Sequence, residues 1–128
     1  MISLINSISP LKYSKEMTDS LMKFAEYGQP CIVAPLIMGG ASGPIKIAGL
    51  LAQQNAEILA GIIFAQLINE GTPVIYSSAS SITDLKTGSL SVGAPELAQI
   101  VSATAPIFVS LRIYLNIIGL FIIQTKNN

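Results

Sequence analysis

Three short stretches of this chain carry small or polar side chains directly after apolar runs, and the second must come close to other backbone or to a ligand. They are Ser7 and Ser9, the run from Met38 to Ser42, and the run from Tyr76 to Ser80. In the second, GGASGP (residues 39–44), Gly39 and Gly40 let backbone approach a ligand, and the loop N–H groups could face an anion. A tight turn without a ligand needs the same residues. The order is not that of a phosphate loop, because no Gly-Lys-Ser/Thr follows, nor that of a GxGxxG dinucleotide turn. Gln53, Gln54, Asn55 and Glu57 form a denser polar group. Buried amides must find partners, so this group is expected to pin a helix to a neighbouring loop rather than to touch substrate. Asp84 and Glu96 are separated by a polar loop and make no argued acid/base pair.

Several chemistries are excluded by residue type. The 128 residues include no histidine and one cysteine, Cys31, so imidazole- or thiolate-ligated zinc or iron has no ligands within the chain. Ser-His-Asp and Cys-His nucleophilic catalysis fall for the same reason. A lone cysteine forms no internal disulfide and fits a reducing cytoplasm. Between Pro30 and Ile32, Cys31 reads as a small core residue. Seven basic and seven acidic residues give a net charge of zero, without the surplus that nucleic acid requires. The N-terminus, MISLINSISPLKYSKEM, lacks the basic start and unbroken apolar run of a signal peptide.

The elements that must position these residues alternate. Residues 2–8 read as a short strand ending before Pro10. Ser14 is placed to cap a helix carrying Met17, Leu21, Phe24 and Ala25 on one face, and Gly28 to stop it. CIVAPLIM (31–38) is a continuous apolar run, the pattern of a strand buried on both faces. Residues 45–69 predict a long amphipathic helix with Leu51, Ile58, Ile62 and Ala65 on its stripe. PVIYSS (73–78) is the next strand, a polar loop with Asp84, Lys86 and Gly88 follows, and Pro95 opens a helix to about residue 105. Strand–helix alternation with apolar strands predicts a parallel α/β sheet, and periodicity alone does not choose between a doubly wound sheet and a barrel. Three strands leave two open edges, which predicts poor solubility and a fragment of something larger.

Residues 106–123, PIFVSLRIYLNIIGLFII, are about long enough to cross a bilayer, with Arg112 and Asn116 inside the stretch. An arginine near the middle costs about 2.5–3.5 kcal/mol on insertion scales, which the surrounding Ile, Leu and Phe can offset. A small membrane-anchored protein, an α/β module that oligomerises, and an apolar or non-native tail on an α/β piece all remain open at this point.

Three blocks carry a family resemblance. NSISPLKY (6–13), GGASGPIKIAGLLAQQNAEILAGIIFAQLINEGTPVIYSS (39–78) and TDLKTGSLSVGAPELA (83–98) resemble, in order, characteristic stretches of the trimethylamine methyltransferase family. The resemblance covers about residues 2–105 without a large gap, and the AQQNAE block beside a glycine-rich turn is its most specific part. It implies a partial (β/α)8 TIM-type barrel of about three βα units over residues 1–105. The implied activity moves a methyl group from a methylated amine (trimethylamine or a betaine) to the Co(I) corrinoid of a separate protein. The chain itself is then expected to bind no cofactor, and the full-length parent to be an oligomer. Members that use trimethylamine carry pyrrolysine downstream of the matching region. The ends of barrel strands form active sites, so the resemblance implies Ser9, Met38, Gly39, Gly40, Tyr76 and Ser78 as substrate-binding candidates, Tyr76 offering a π face to a methylammonium cation. After Ala105 the sequence leaves the family pattern, and residues 106–128 are expected to be a divergent, frameshifted tail.

Overall fold

The computed structural model describes residues 1–84, 86–88, 95–96 and 98–107. The chain begins with strand β1 (Ser3–Ile5), and helix α1 (Lys15–Glu26) follows. Ser14 caps α1 as expected, its Oγ accepting from the Met17 N–H at 3.3 Å. At the other end Gly28 adopts φ 62°, and the Gly28 and Gln29 N–H groups return to the Ala25 and Phe24 carbonyls, closing the helix. Leu21 and Ala25 are buried, with Met17 and Phe24 packed around them, as the spacing predicts. Ser14→Ala should cost roughly 1 kcal/mol, read as a lowered thermal midpoint.

Strands β2 (Cys31–Val33) and β4 (Val74–Tyr76) join β1 in a parallel sheet of order β1–β2–β4. A second parallel pair, β3 (Met38–Gly39) with β5 (Ser81–Ile82), continues the β2–β4 pairing at the same register offset. The ladder between them is carried by Ser77 N–H to Val33 O, Ala79 to Pro35, Ser81 to Ile37 and Thr83 to Gly39, all between 3.0 and 3.1 Å. Pro35 has no N–H to return, and the Ile37 N–H goes to Ser80 Oγ at 3.3 Å, so the ribbon is interrupted without separating. The 31–38 run is therefore one strand path, and the 73–78 strand extends past its expected end to Ile82. Its serine-rich continuation shows no apolar alternation, yet its backbone pairs.

Helix α2 (Ile47–Ile68) crosses between these strands. Its buried stripe is Leu50, Gln54, Glu57, Ile58, Gly61 and Ala65. This corrects the expected amphipathic stripe: Leu51 and Ile62 are only half-buried, two polar residues lie on the buried face, and Ile63 and Leu67 are exposed. By length and composition α2 could cross a membrane, but here it packs on α1, β2 and β4. The last described helix, α3 (Ala98–Ile107), follows. The candidate span at residues 106–123 lies almost wholly outside the described residues.

The main core joins Ile5, Leu21, Ala25, Cys31, Val33, Ile58 and Ala65 between the sheet and the two long helices. A smaller one, Ile37, Leu50 and Ile100, sits between α2, α3 and the strand ends. Cys31 is buried in the main core as expected, and burial pushes its thiol up. The expectation of strands buried on both faces is met on one face. The paired row Leu4, Ile32 and Ile75 is open, with Leu4 56% and Ile75 46% exposed.

Candidate functional site

A parallel strand delivers its following loop at its carboxyl end, so the loops after β1 and β3 and the path from β4 to β5 lie toward one end of the sheet. One polar stretch of α2 reaches all three. Glu57, 1% exposed, is its centre. Glu57 Oε2 accepts from the hydroxyls of Ser7 and Ser9, the latter at 3.0 Å. Oε1 accepts from the Leu11 N–H at 3.0 Å and from Gln53 Nε2 at 3.0 Å. The Tyr13 hydroxyl donates to the Glu57 carbonyl at 2.7 Å.

Burial alone would push the Glu57 carboxyl up. The hydrogen bonds from Leu11, Ser7, Gln53 and Ser9 together outweigh that and hold it below the ordinary carboxylate range. Tyr13 is pushed up to about 12, first by burial and then by the Glu57 charge.

Gln53 links this first cluster to the second, its Nε2 also donating to the Ser42 carbonyl at 3.3 Å. In GGASGP the Gly40 N–H goes to Gly43 O, and the N–H groups of Ala41, Ser42 and Gly43 all converge on Met38 O. Ser42 Oγ accepts from the Met38 N–H at 2.9 Å. Those loop donors are used inside the loop, which is the tight-turn reading. Gly39 is needed for packing: a Cβ there would stand 2.9 Å from a Leu50 methyl. Gly40, at φ 88°, is needed for its backbone conformation.

The third cluster is tied to the same stretch of α2. Ser78 donates to Gln54 Oε1 at 2.6 Å and accepts from the Ser80 N–H at 3.2 Å. Gln54 Nε2 continues to Thr104 Oγ1 on α3 at 3.2 Å. The Tyr76 hydroxyl donates to Asn55 Oδ1 at 3.1 Å while its ring packs on the main core. Burial pushes the Tyr76 phenol up, and a hydrogen bond with Gln54 opposes this.

The expected pinning of helix to loop is thus observed, through Gln53 to residues 39–44. Ser9, Met38, Tyr76 and Ser78 are all tied, directly or through Ser42, to one stretch of α2, although Tyr76 and Ser78 lie on the ribbon rather than in a loop after it. The sequence reading missed the central place of Glu57 and the part of Leu11 and Thr104. The i, i+4 spacing of Gln53 and Glu57 was the available signal. It also passed over Thr83, whose buried hydroxyl has no partner among the described residues. Asp84 is exposed and closes a local turn, accepting from the Lys86 N–H and the Thr87 hydroxyl, which hold its carboxyl below the usual range.

The chain is 55% identical over 105 residues to glycine betaine methyltransferase of Desulfitobacterium hafniense (strain Y51), covering 82% of this chain and 22% of that protein. It is 44% identical over 95 residues to proline betaine:corrinoid methyltransferase of Eubacterium limosum, covering 74% and 19%. It is 42% identical over 102 residues to trimethylamine methyltransferase MttB of Methanosarcina barkeri (strain Fusaro / DSM 804), covering 80% and 21%. The chain therefore spans about a fifth of the length of these curated relatives. The family model described as Trimethylamine methyltransferase (MTTB) matches residues 1–111, a span that includes every described residue, and the chain belongs to that family.

Proposed function

We propose that this chain is an internal part of a methyltransferase barrel that takes a methyl group from a methylated amine and delivers it to a corrinoid protein. The observation that carries the proposal is one polar stretch of α2, Gln53 to Glu57, to which all three strand-end clusters are hydrogen-bonded, in a segment whose relatives are named as trimethylamine and betaine methyltransferases. The sheet supports a partial (β/α)8 barrel: consecutive parallel strands with α1 and α2 on one face leave the apolar row Leu4, Ile32 and Ile75 for a barrel interior.

Ser9, Met38, Gly39 and Gly40 are the residues we assign to the substrate side. Tyr76 and Ser78 act from behind them by holding α2. The partner-borne corrinoid supplies the Co(I) that accepts the methyl group. The chain's own share is to shape a dry pocket wall around a small methylated cation and to orient it. Three βα units supply too few strand ends for a complete site, so the chain alone is inactive and its activity belongs to an oligomeric, cytoplasmic parent. The family match runs to residue 111, and the tail beyond it is, in this reading, a frameshifted replacement for the parent's sequence. Sequencing the DNA from the codon for Ala105 onward tests this parentage: a neighbouring frame should restore the family's next helix, strand and glycine-rich loop, and its failure to do so in any frame would refute the frameshift.

A further inference from the structure

We infer that Glu57 is a positioning residue for the proposed site: its carboxylate fastens the loop of residues 7–12, and Ser9 with it, to the stretch of α2 that also holds the other two clusters. Four donors reach its two oxygens, and none of them carries a charge. Three come from the loop and one from α2, so the carboxylate spans the junction. With both oxygens shared in this way, Glu57 acts through its neighbours rather than on a substrate proton.

The loop itself needs such a restraint. Leu11 adopts φ 52°, a conformation that persists in a non-glycine residue only where its surroundings enforce it. Two features enforce it here: the Leu11 N–H on Glu57 Oε1 at 3.0 Å, and the antiparallel bridge between Ile8 and Lys12. A glutamine at position 57 would turn an NH2 group toward donors and keep one acceptor oxygen of two.

The elements around Glu57 bring few other titratable groups. Tyr13 lies on its carbonyl and stays protonated through the neutral range. Lys12, Lys15, Glu16, Asp19, Lys23 and Glu26 are all exposed, β2 contributes only the buried Cys31, and β4 contributes only Tyr76, whose phenol burial pushes up. Acid sensitivity of the loop is therefore expected to follow Glu57.

The inference rests on the proposed function for the meaning of the loop, but its test needs no catalysis, so the two can fail separately. Amide hydrogen exchange is measured on the full 128-residue chain at Ile8, Leu11 and Lys12 in the loop, and at Cys31, Ala34 and Ser77 in the sheet. In E57Q the loop amides should open roughly ten- to a hundredfold more often, while the sheet amides change little. In the native chain, loop opening, corrected for intrinsic rates, should rise as pH falls through the carboxylate range, and E57Q should abolish that dependence. S9A, which removes one donor and keeps the carboxylate, should loosen the loop less and retain the pH response. Equal acceleration of loop and sheet, or a pH response that survives in E57Q, overturns the inference. Should E57Q fail to fold, the native and S9A pH series still decide: loop amides that open only in step with the sheet overturn it.

Discussion

Replacing Glu57 with leucine should remove about 2–4 kcal/mol of stability, measured as a shift in the denaturant midpoint. Leucine matches much of the volume but leaves Ser7, Ser9, Leu11 and Gln53 without their acceptor. Ser7 is buried and cannot recruit water, whereas Ser9 and Gln53 are only half-buried and can, so the effect falls short of four full penalties. Against a domain stability of about 5–15 kcal/mol, the loss is large. The sign of the pH dependence follows from the depressed folded pKa. The contribution is fully present above the ordinary glutamate value of about 4.3 and is lost as pH falls through the lower folded value. The leucine variant should lack that share of the acid transition. An unchanged acid limb would mean that Glu57 is not the group being protonated.

Gly43→Ala should cost about 1–3 kcal/mol. A Cβ at Gly43 would overlap a methyl of Ile37, which is completely buried in the smaller core, and would also meet Gln53 Oε1 at 3.4 Å. No helix is gained in compensation, because residue 43 lies in the loop before α2. At Gly61, by contrast, about 1 kcal/mol of helix propensity would partly offset a Cβ placed 2.8 Å from the Tyr13 hydroxyl and 3.0 Å from Val33. The clash at Gly43 is with one side chain, so in an Ile37→Ala background the alanine at 43 should cost little. Full additivity of the two changes in a denaturant double-mutant cycle would show that the methyl contact is not the cause.

What could be read in the sequence was whatever local chemistry decides. Ser14 and Gly28 mark the ends of α1 because a hydroxyl acceptor and a left-handed backbone are needed there, and both are found. The apolar run 31–38 and the parallel sense of the sheet follow from composition and alternation, while the strand order β1–β2–β4 does not. The β5 end was hidden because Ser77, Ser80 and Ser81 carry no apolar signal, while the backbone N–H groups that pair them are present in every residue but proline. The stripe of α2 was misplaced for a related reason. Hydrophobic spacing centres the stripe on Leu51, Ile58 and Ile62, whereas hydrogen bonds with Ser7, Ser9, Ser78 and Thr104 turn the Gln54 and Glu57 side inward. Those partners lie 24–50 residues away in the chain, beyond the reach of any local pattern. The three clusters and the helix were legible one by one, and the joining of all three by a single stretch of that helix was not.

The most direct measurement is methyl transfer to a Co(I) corrinoid protein, followed spectroscopically, with trimethylamine and glycine betaine each offered as donor. The chain is assayed alone and then with a complementary polypeptide supplying the remaining strands of a betaine methyltransferase relative. The account predicts no transfer by either piece alone and transfer from one of the two amines when they are combined. It also predicts that E57Q in this chain weakens the combined activity. Turnover by this chain alone, or a folded combination that transfers from neither amine, would contradict it.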